Sequence, residues 1–160
     1  MGRLGLQLAK LFGQQLPAFK SQAEAEERLF AQRDARVNLL AAVARRADGV
    51  FTADFSPASL KGLELWYFAL RESDDFSSLG LSREEFERSM AMYFCETAVR
   101  NCPQAKWIVR EYAFEPGKYE LGVQRGQVCL MRSRFTDHYK QPNNKRRQKI
   151  YLEYQKRFGD

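Results

Sequence analysis

Leu4, Leu8, Leu11 and Phe12 recur at i, i+4, i+7 and i+8, so residues 1–16 read as an amphipathic arm or helix that stops at Pro17. Residues 18–47 are rich in Ala, Glu and Arg. Phe19, Leu29, Phe30, Val37, Leu40, Ala41 and Ala44 keep helical spacing there until Asp48-Gly49 breaks the pattern. The stretch VFTADF is strand-like, and Ser56-Pro57 behind it marks a helix start. Serine can cap the first amides, and proline loses nothing at the first helical position, where its N–H would go unused. That helix runs to about Arg71 and gives way to a polar loop, Ser73-Asp74-Asp75 with Ser77-Ser78. Ser82, with Glu85 three residues on, is a capping box that opens a helix over residues 83–102. Phe86, Met90, Tyr93, Phe94 and Thr97 lie on one face of it, and Met92, Cys95 and Val99 on nearly the opposite one. A helix apolar on two sides is buried on two sides, which puts this one at the centre of the fold.

Beyond Pro103 the period changes from helical to alternating. KWIVREYAF, KYELGV and QVCLMRS read as three strands, separated by turns at Glu115-Pro116-Gly117 and Arg125-Gly126. Connections this short make an antiparallel meander over residues 106–133. A C-terminal helix is expected from about residue 145, after Asn143-Asn144. A helical N-terminal half, a buried central helix, a three-stranded antiparallel meander and a closing helix make the class α+β. With no linker, repeat or low-complexity tract, residues 1–160 are expected to form a single domain.

The apolar fraction of 44% and charged fraction of 29% are those of a globular chain. No apolar run approaches the roughly 20 residues that cross a bilayer. Gln7 and Lys10 interrupt the leucines of the N-terminus and no cleavage site follows, so neither a signal peptide nor a membrane role is expected. The leucine arm is expected to pack onto the rest of the chain, or onto a second copy in a homodimer, rather than onto lipid. Cys95, Cys102 and Cys129 are odd in number and lack C-x-x-C spacing, which suits reduced thiols in the cytoplasm.

Locating the net charge of +6 changes the picture more. Residues 1–131 hold seventeen basic and seventeen acidic residues, whereas residues 132–160 hold nine basic and three acidic. The whole excess sits at the C-terminal end.

Little argues for catalysis. His138 is the single histidine, and no nucleophile motif, Gly-rich phosphate loop or metal-spaced Cys/His set accompanies it. No metal and no cofactor are expected. Glu96 is the polar residue in an odd place. It lies between the two apolar faces of the central helix, about 40° around from Arg100. It can serve as an i,i+4 ion pair on an exposed edge, as a partly buried carboxylate that pins the helix to the sheet, or as part of a ligand site. Burial would require a partner for the charge. A structural role, in either of the first two forms, is the preferred reading, ahead of a ligand or partner site and of catalysis.

Two segments carry a resemblance. ADFSPASLKGLE is similar to the D-[FY]-[ST]-P-x-S-L-x-x-L-E element of several uncharacterised bacterial domain families. YFCETAVRNCPQAKW resembles the Y-[FY]-G-E … W element that follows it there, with Cys95 where the pattern has glycine. By the resemblance, Asp54, Ser56, Ser59, Leu60 and Glu64 match the first element, and Tyr93, Glu96 and Trp107 the second. Glu64, Glu96, Arg100 and Trp107 are thus the candidate structural polar residues. Some members of these families are read as immunity proteins of toxin systems, which implies a non-enzymatic protein-binding role.

The basic tail supplies the candidate binding residues. In NNKRRQKIYLEYQKRF, Ile150, Tyr151, Tyr154 and Phe158 gather on one side, and Lys145, Arg146, Lys149, Lys156 and Arg157 on the other. Arg132 and Arg134 add to them. Cations in a helix's first turn oppose its dipole, so an anion is expected there, either a nearby carboxylate or a phosphate. An acidic protein partner is expected to use this face. Nucleic acid bound non-specifically through residues 132–157 is the alternative.

Overall fold

The computed structural model describes residues 2–132 and 148–159. In order they form α1 (Arg3–Gln14), α2 (Gln22–Val43), α3 (Ser59–Ser73), α4 (Arg83–Asn101), β1 (Ala105–Glu111), β2 (Tyr119–Arg125), β3 (Val128–Met131) and α5 (Lys149–Phe158). The fold is α+β.

The two-sided apolar pattern of α4 makes it the axis. Phe86, Met90, Tyr93, Phe94, Cys95 and Ala98 are fully buried, and α2, α3, α5, β1 and β2 all pack against this helix. Its start is the expected cap, with Ser82 Oγ accepting from the Glu85 N–H at 3.1 Å. The sheet has the order β1-β2-β3, antiparallel throughout, with Trp107 opposite Val123 and Val109 opposite Leu121. Gly117 and Gly126 take the positive φ angles (+83° and +59°) that its two turns need.

Residues 51–56 are not a strand. The Asp54 carboxylate accepts from the Ser56 N–H at 2.9 Å and from its hydroxyl at 2.7 Å, and the Phe55 N–H donates to Tyr93 Oη at 3.0 Å. Side chains thus satisfy the amides that a ladder would have used. Phe55 also takes φ +59°, which no strand accommodates. The Ser56 cap survives in altered form. Although α3 starts at Ser59, Ser56 Oγ accepts the Ser59 N–H at 3.1 Å and the intervening turn is closed by i→i+3 bonds.

At the N-terminal end the arm is a helix packed onto the sheet, whereas at the C-terminal end the expectation changes. Helix α1 docks through its small residues: Gly13 is buried against Tyr112, and the Ala9 carbonyl accepts from Tyr112 Oη at 2.9 Å. Leu4 and Leu8, 70% and 58% exposed, face away, and of the stripe it is Phe12 that attaches the arm, edge-on to Tyr112 with ring centroids 5.6 Å apart. Gln148 is left-handed (φ +50°) and α5 therefore begins at Lys149, not near residue 145. Its first turn carries one cation rather than three.

Candidate functional site

The two motif segments meet on α4. Glu96 accepts from Arg100 Nε at 3.1 Å and, through its other oxygen, from the Trp107 indole N–H at 2.9 Å. Arg100 in turn lies over the Phe55 ring, 3.6 Å from its centroid. Tyr93 Oη is 2.7 Å from Ser59 Oγ, and Asn101 donates to the Phe55 carbonyl at 2.7 Å. Asp54, Ser56, Ser59, Tyr93, Glu96 and Trp107 therefore belong to one network joining residues 51–59, α4 and β1. Leu60 is buried in the core beside it. The Glu96 charge engages two donors, one on its own helix and one on the sheet. A shallow hollow of about 300 Å³ beside it is lined by Arg33, Asp34, Asn38, Glu96, Arg100 and Trp107.

Glu64 is 1% exposed and accepts the backbone N–H of Lys149 at 3.1 Å. It places a carboxylate at the N-terminus of α5, where the helix dipole favours one. At the far end, Arg125 donates to the Arg157 and Gly159 carbonyls at 3.0 and 3.3 Å. Each end of α5 thus meets a complementary charge from α3 or β2. The anion expected at this helix start has an internal source.

Ile150, Tyr154 and Phe158 seat α5 in the core, with Tyr154 and Phe158 edge-on to Phe94. Tyr151 is half-buried under the Lys61 ammonium, 4.3 Å from the ring centroid. Outside, Lys156 and Arg157 are exposed and Lys149 is half-buried. Leu152 is 57% exposed and stands between Lys149 and Lys156 at helical spacing i, i+3, i+7. Arg132 is set apart from this face: its side chain is 14% exposed and ion-paired with Glu153, which also holds Arg157. Lys145, Arg146 and Arg134 lie outside the described residues, as does His138.

A feature absent from the sequence reading lies between α2, α4 and the sheet. A cleft of about 780 Å³ is rimmed by Arg33 and Arg36 of α2, Arg88 of α4 and Arg132 at the end of β3. Leu29, Met92, Leu121 and Met131 line its apolar part. Arg33, Arg88 and Arg132 pair with Asp34, Glu84 and Glu153. Arg36 is half-buried and makes no hydrogen bond or ion pair among the described residues. Burial lowers its pKa and the neighbouring Arg88 lowers it further, against Glu85 and Glu84. A sequence signal did exist, because Ala25, Leu29, Gln32 and Arg36 fall on one helical line that starts in the core and ends in charge.

The thiol on α4 is no nucleophile. Cys95 is fully enclosed, and burial pushes its pKa up to about 12, where the thiolate is scarce at neutral pH. Among the described residues no helix is long and apolar enough to cross a membrane.

A family model described as "Uncharacterised protein YwmA" matches residues 18–158, which takes in α2 through α5 and the arginines of the cleft. The chain is 27% identical over 116 residues to "Uncharacterized protein YwmA" of Bacillus subtilis (strain 168), covering 72% of this chain and 73% of that protein. No solved structure matches. With a match across most of its length, the chain belongs to the YwmA family.

Proposed function

We propose that this protein is a non-enzymatic binder of an acidic protein surface, and that the outer stripe of α5 is where the partner docks. The observation that carries the reading is Leu152, exposed between Lys149 and Lys156 on a helix whose opposite face is fixed in the core. An apolar anchor ringed by cations suits a partner with a small apolar pocket in an acidic rim. Charge there would mainly speed encounter, and the leucine would slow departure. A toxin-neutralising immunity protein is one binder of this kind, and the motif resemblance supports that form of the reading.

Nucleic acid is the competing anion. Of the cations over residues 132–157, the described Lys149, Lys156 and Arg157 would neutralise about three phosphates and give a salt slope of about −3. Arg134, Lys140, Lys145, Arg146 and Arg147, outside the described residues, would add to it. The test is a titration of the whole chain with random duplex, single-stranded DNA and RNA at physiological salt. Weak binding, with Kd about 10⁻⁴–10⁻⁶ M and lost as salt rises, is expected. Much tighter binding with a preference for one sequence or shape would overturn the protein-partner reading.

A further inference from the structure

We propose that the arginine-rimmed cleft between α2, α4 and the sheet is a binding site for a small organic monocarboxylate with an apolar body, separate from the α5 stripe. Its volume of about 780 Å³ falls within the range of small-molecule sites, which are mostly apolar with a few placed polar groups. This cleft is more polar than most, with Leu29, Met92, Leu121 and Met131 on one part and the guanidinium groups, Glu84 and Glu120 on the other.

The unpaired guanidinium selects the ligand. Arg33, Arg88 and Arg132 already have carboxylate partners in Asp34, Glu84 and Glu153. Arg36 has no ion pair or hydrogen bond among the described residues, and burial and Arg88 outweigh the pull of the nearby Glu85 and Glu84, so its guanidinium fork is the one left open at the rim. A monoanion suits that one open fork better than a phosphate dianion, because the carboxylates of Glu84 and Glu120 also line the cleft. A planar guanidinium also matches a carboxylate in a two-point fork.

Arg36 also behaves as a residue kept at a cost to the fold. It is half-buried, its burial and the like charge of Arg88 outweigh the carboxylates of Glu85 and Glu84, and it supports no neighbour by hydrogen bonding among the described residues. Such a group weakens the empty protein, and strain of this sort accumulates at binding sites. A carboxylate ligand would remove the conflict by lying between the two guanidinium groups while its apolar body covers Leu29 and Met92.

The experiment is thermal unfolding of the whole chain with octanoate below its micellar range, with octanol and with inorganic phosphate. Octanoate at about ten-fold excess over its Kd should raise Tm by roughly 3–6 °C, with octanol and phosphate giving much less. In Arg36→Gln the unliganded Tm should stay level or rise, and the octanoate shift should vanish. Gln32→Trp, an exposed position at the cleft wall, should block the shift sterically without disturbing the core. No octanoate shift in the native chain overturns the proposal. So does an equal shift with octanol or phosphate, or a full shift that persists in both variants. A lowered unliganded Tm in Arg36→Gln would instead make Arg36 a structural residue and contradict the assignment.

Discussion

A carboxylate held at the seam of a helix and a sheet is stable only if its donors come with it, and Glu96 receives one from each side. Replacing Glu96 with Gln keeps an acceptor for the Trp107 indole but removes the charge that strengthens both bonds. A loss of about 1 kcal/mol in a urea melt is expected, with the α5 stripe unaffected. A wild-type melt would show that the bonds do no net work. Cys95 gives a second test at this scale. Burial raises its pKa from an ordinary 9.0 to about 12, so between those values the folded chain holds a proton that the unfolded chain has released. The stability this contributes is complete below pH 9 and falls as pH rises through that window. Stability of the native chain should decline from about pH 9. Cys95→Ala should delay the decline to the region above pH 10, where burial-raised Tyr67 and Tyr93 take over. Identical slopes in the two proteins would contradict the assignment. The odd placement of Glu96 was legible on a helical wheel. Its indole partner was not, because that contact depends on where β1 crosses α4.

At the scale of elements, α5 owes its position to a buried aromatic stripe and to charges at both ends. Glu64→Gln should cost about 0.5–2 kcal/mol and raise amide exchange in the first turn of α5 ahead of the rest. Unchanged exchange at residues 149–152 would show that the dipole contact is dispensable. The close crossing of residues 50–51 over α3 gives a sharper outcome. A methyl on Gly62 would overlap the Val50 carbonyl, so Gly62→Ala should destabilise by about 1–3 kcal/mol although alanine is the better helix former. A neutral or stabilising result in a denaturant melt would mean that the crossing relaxes freely. Periodicity alone located α4, the meander and the docking face of α5. It failed at VFTADF, where Asp54 and Tyr93 capture the amides of Ser56 and Phe55, and at Gln148, whose left-handed backbone leaves no mark in composition.

For the whole molecule, the C-terminal charge excess was legible, but its distribution in space was not. Arg132 counts with the basic tail in sequence, yet it folds inward onto Glu153 and becomes part of the cleft rim. Arg33, Arg36 and Arg88 are scattered among the balanced charges of residues 1–131, so their convergence required the packing of α2 on α4. What is left on the described outside of α5 is a short stripe of two lysines and a leucine with Arg157 beside it, and the proposed function requires that stripe to meet a protein. The most direct measurement places a photo-cross-linking amino acid at position 152 of the full chain in living cells and identifies the adducts by mass. A dominant adduct with an acidic protein is expected, resistant to nuclease and abolished by Lys149→Glu together with Lys156→Glu. Adducts with nucleic acid, adducts that survive the charge reversal, or a yield no higher than from a solvent-facing control position would contradict it.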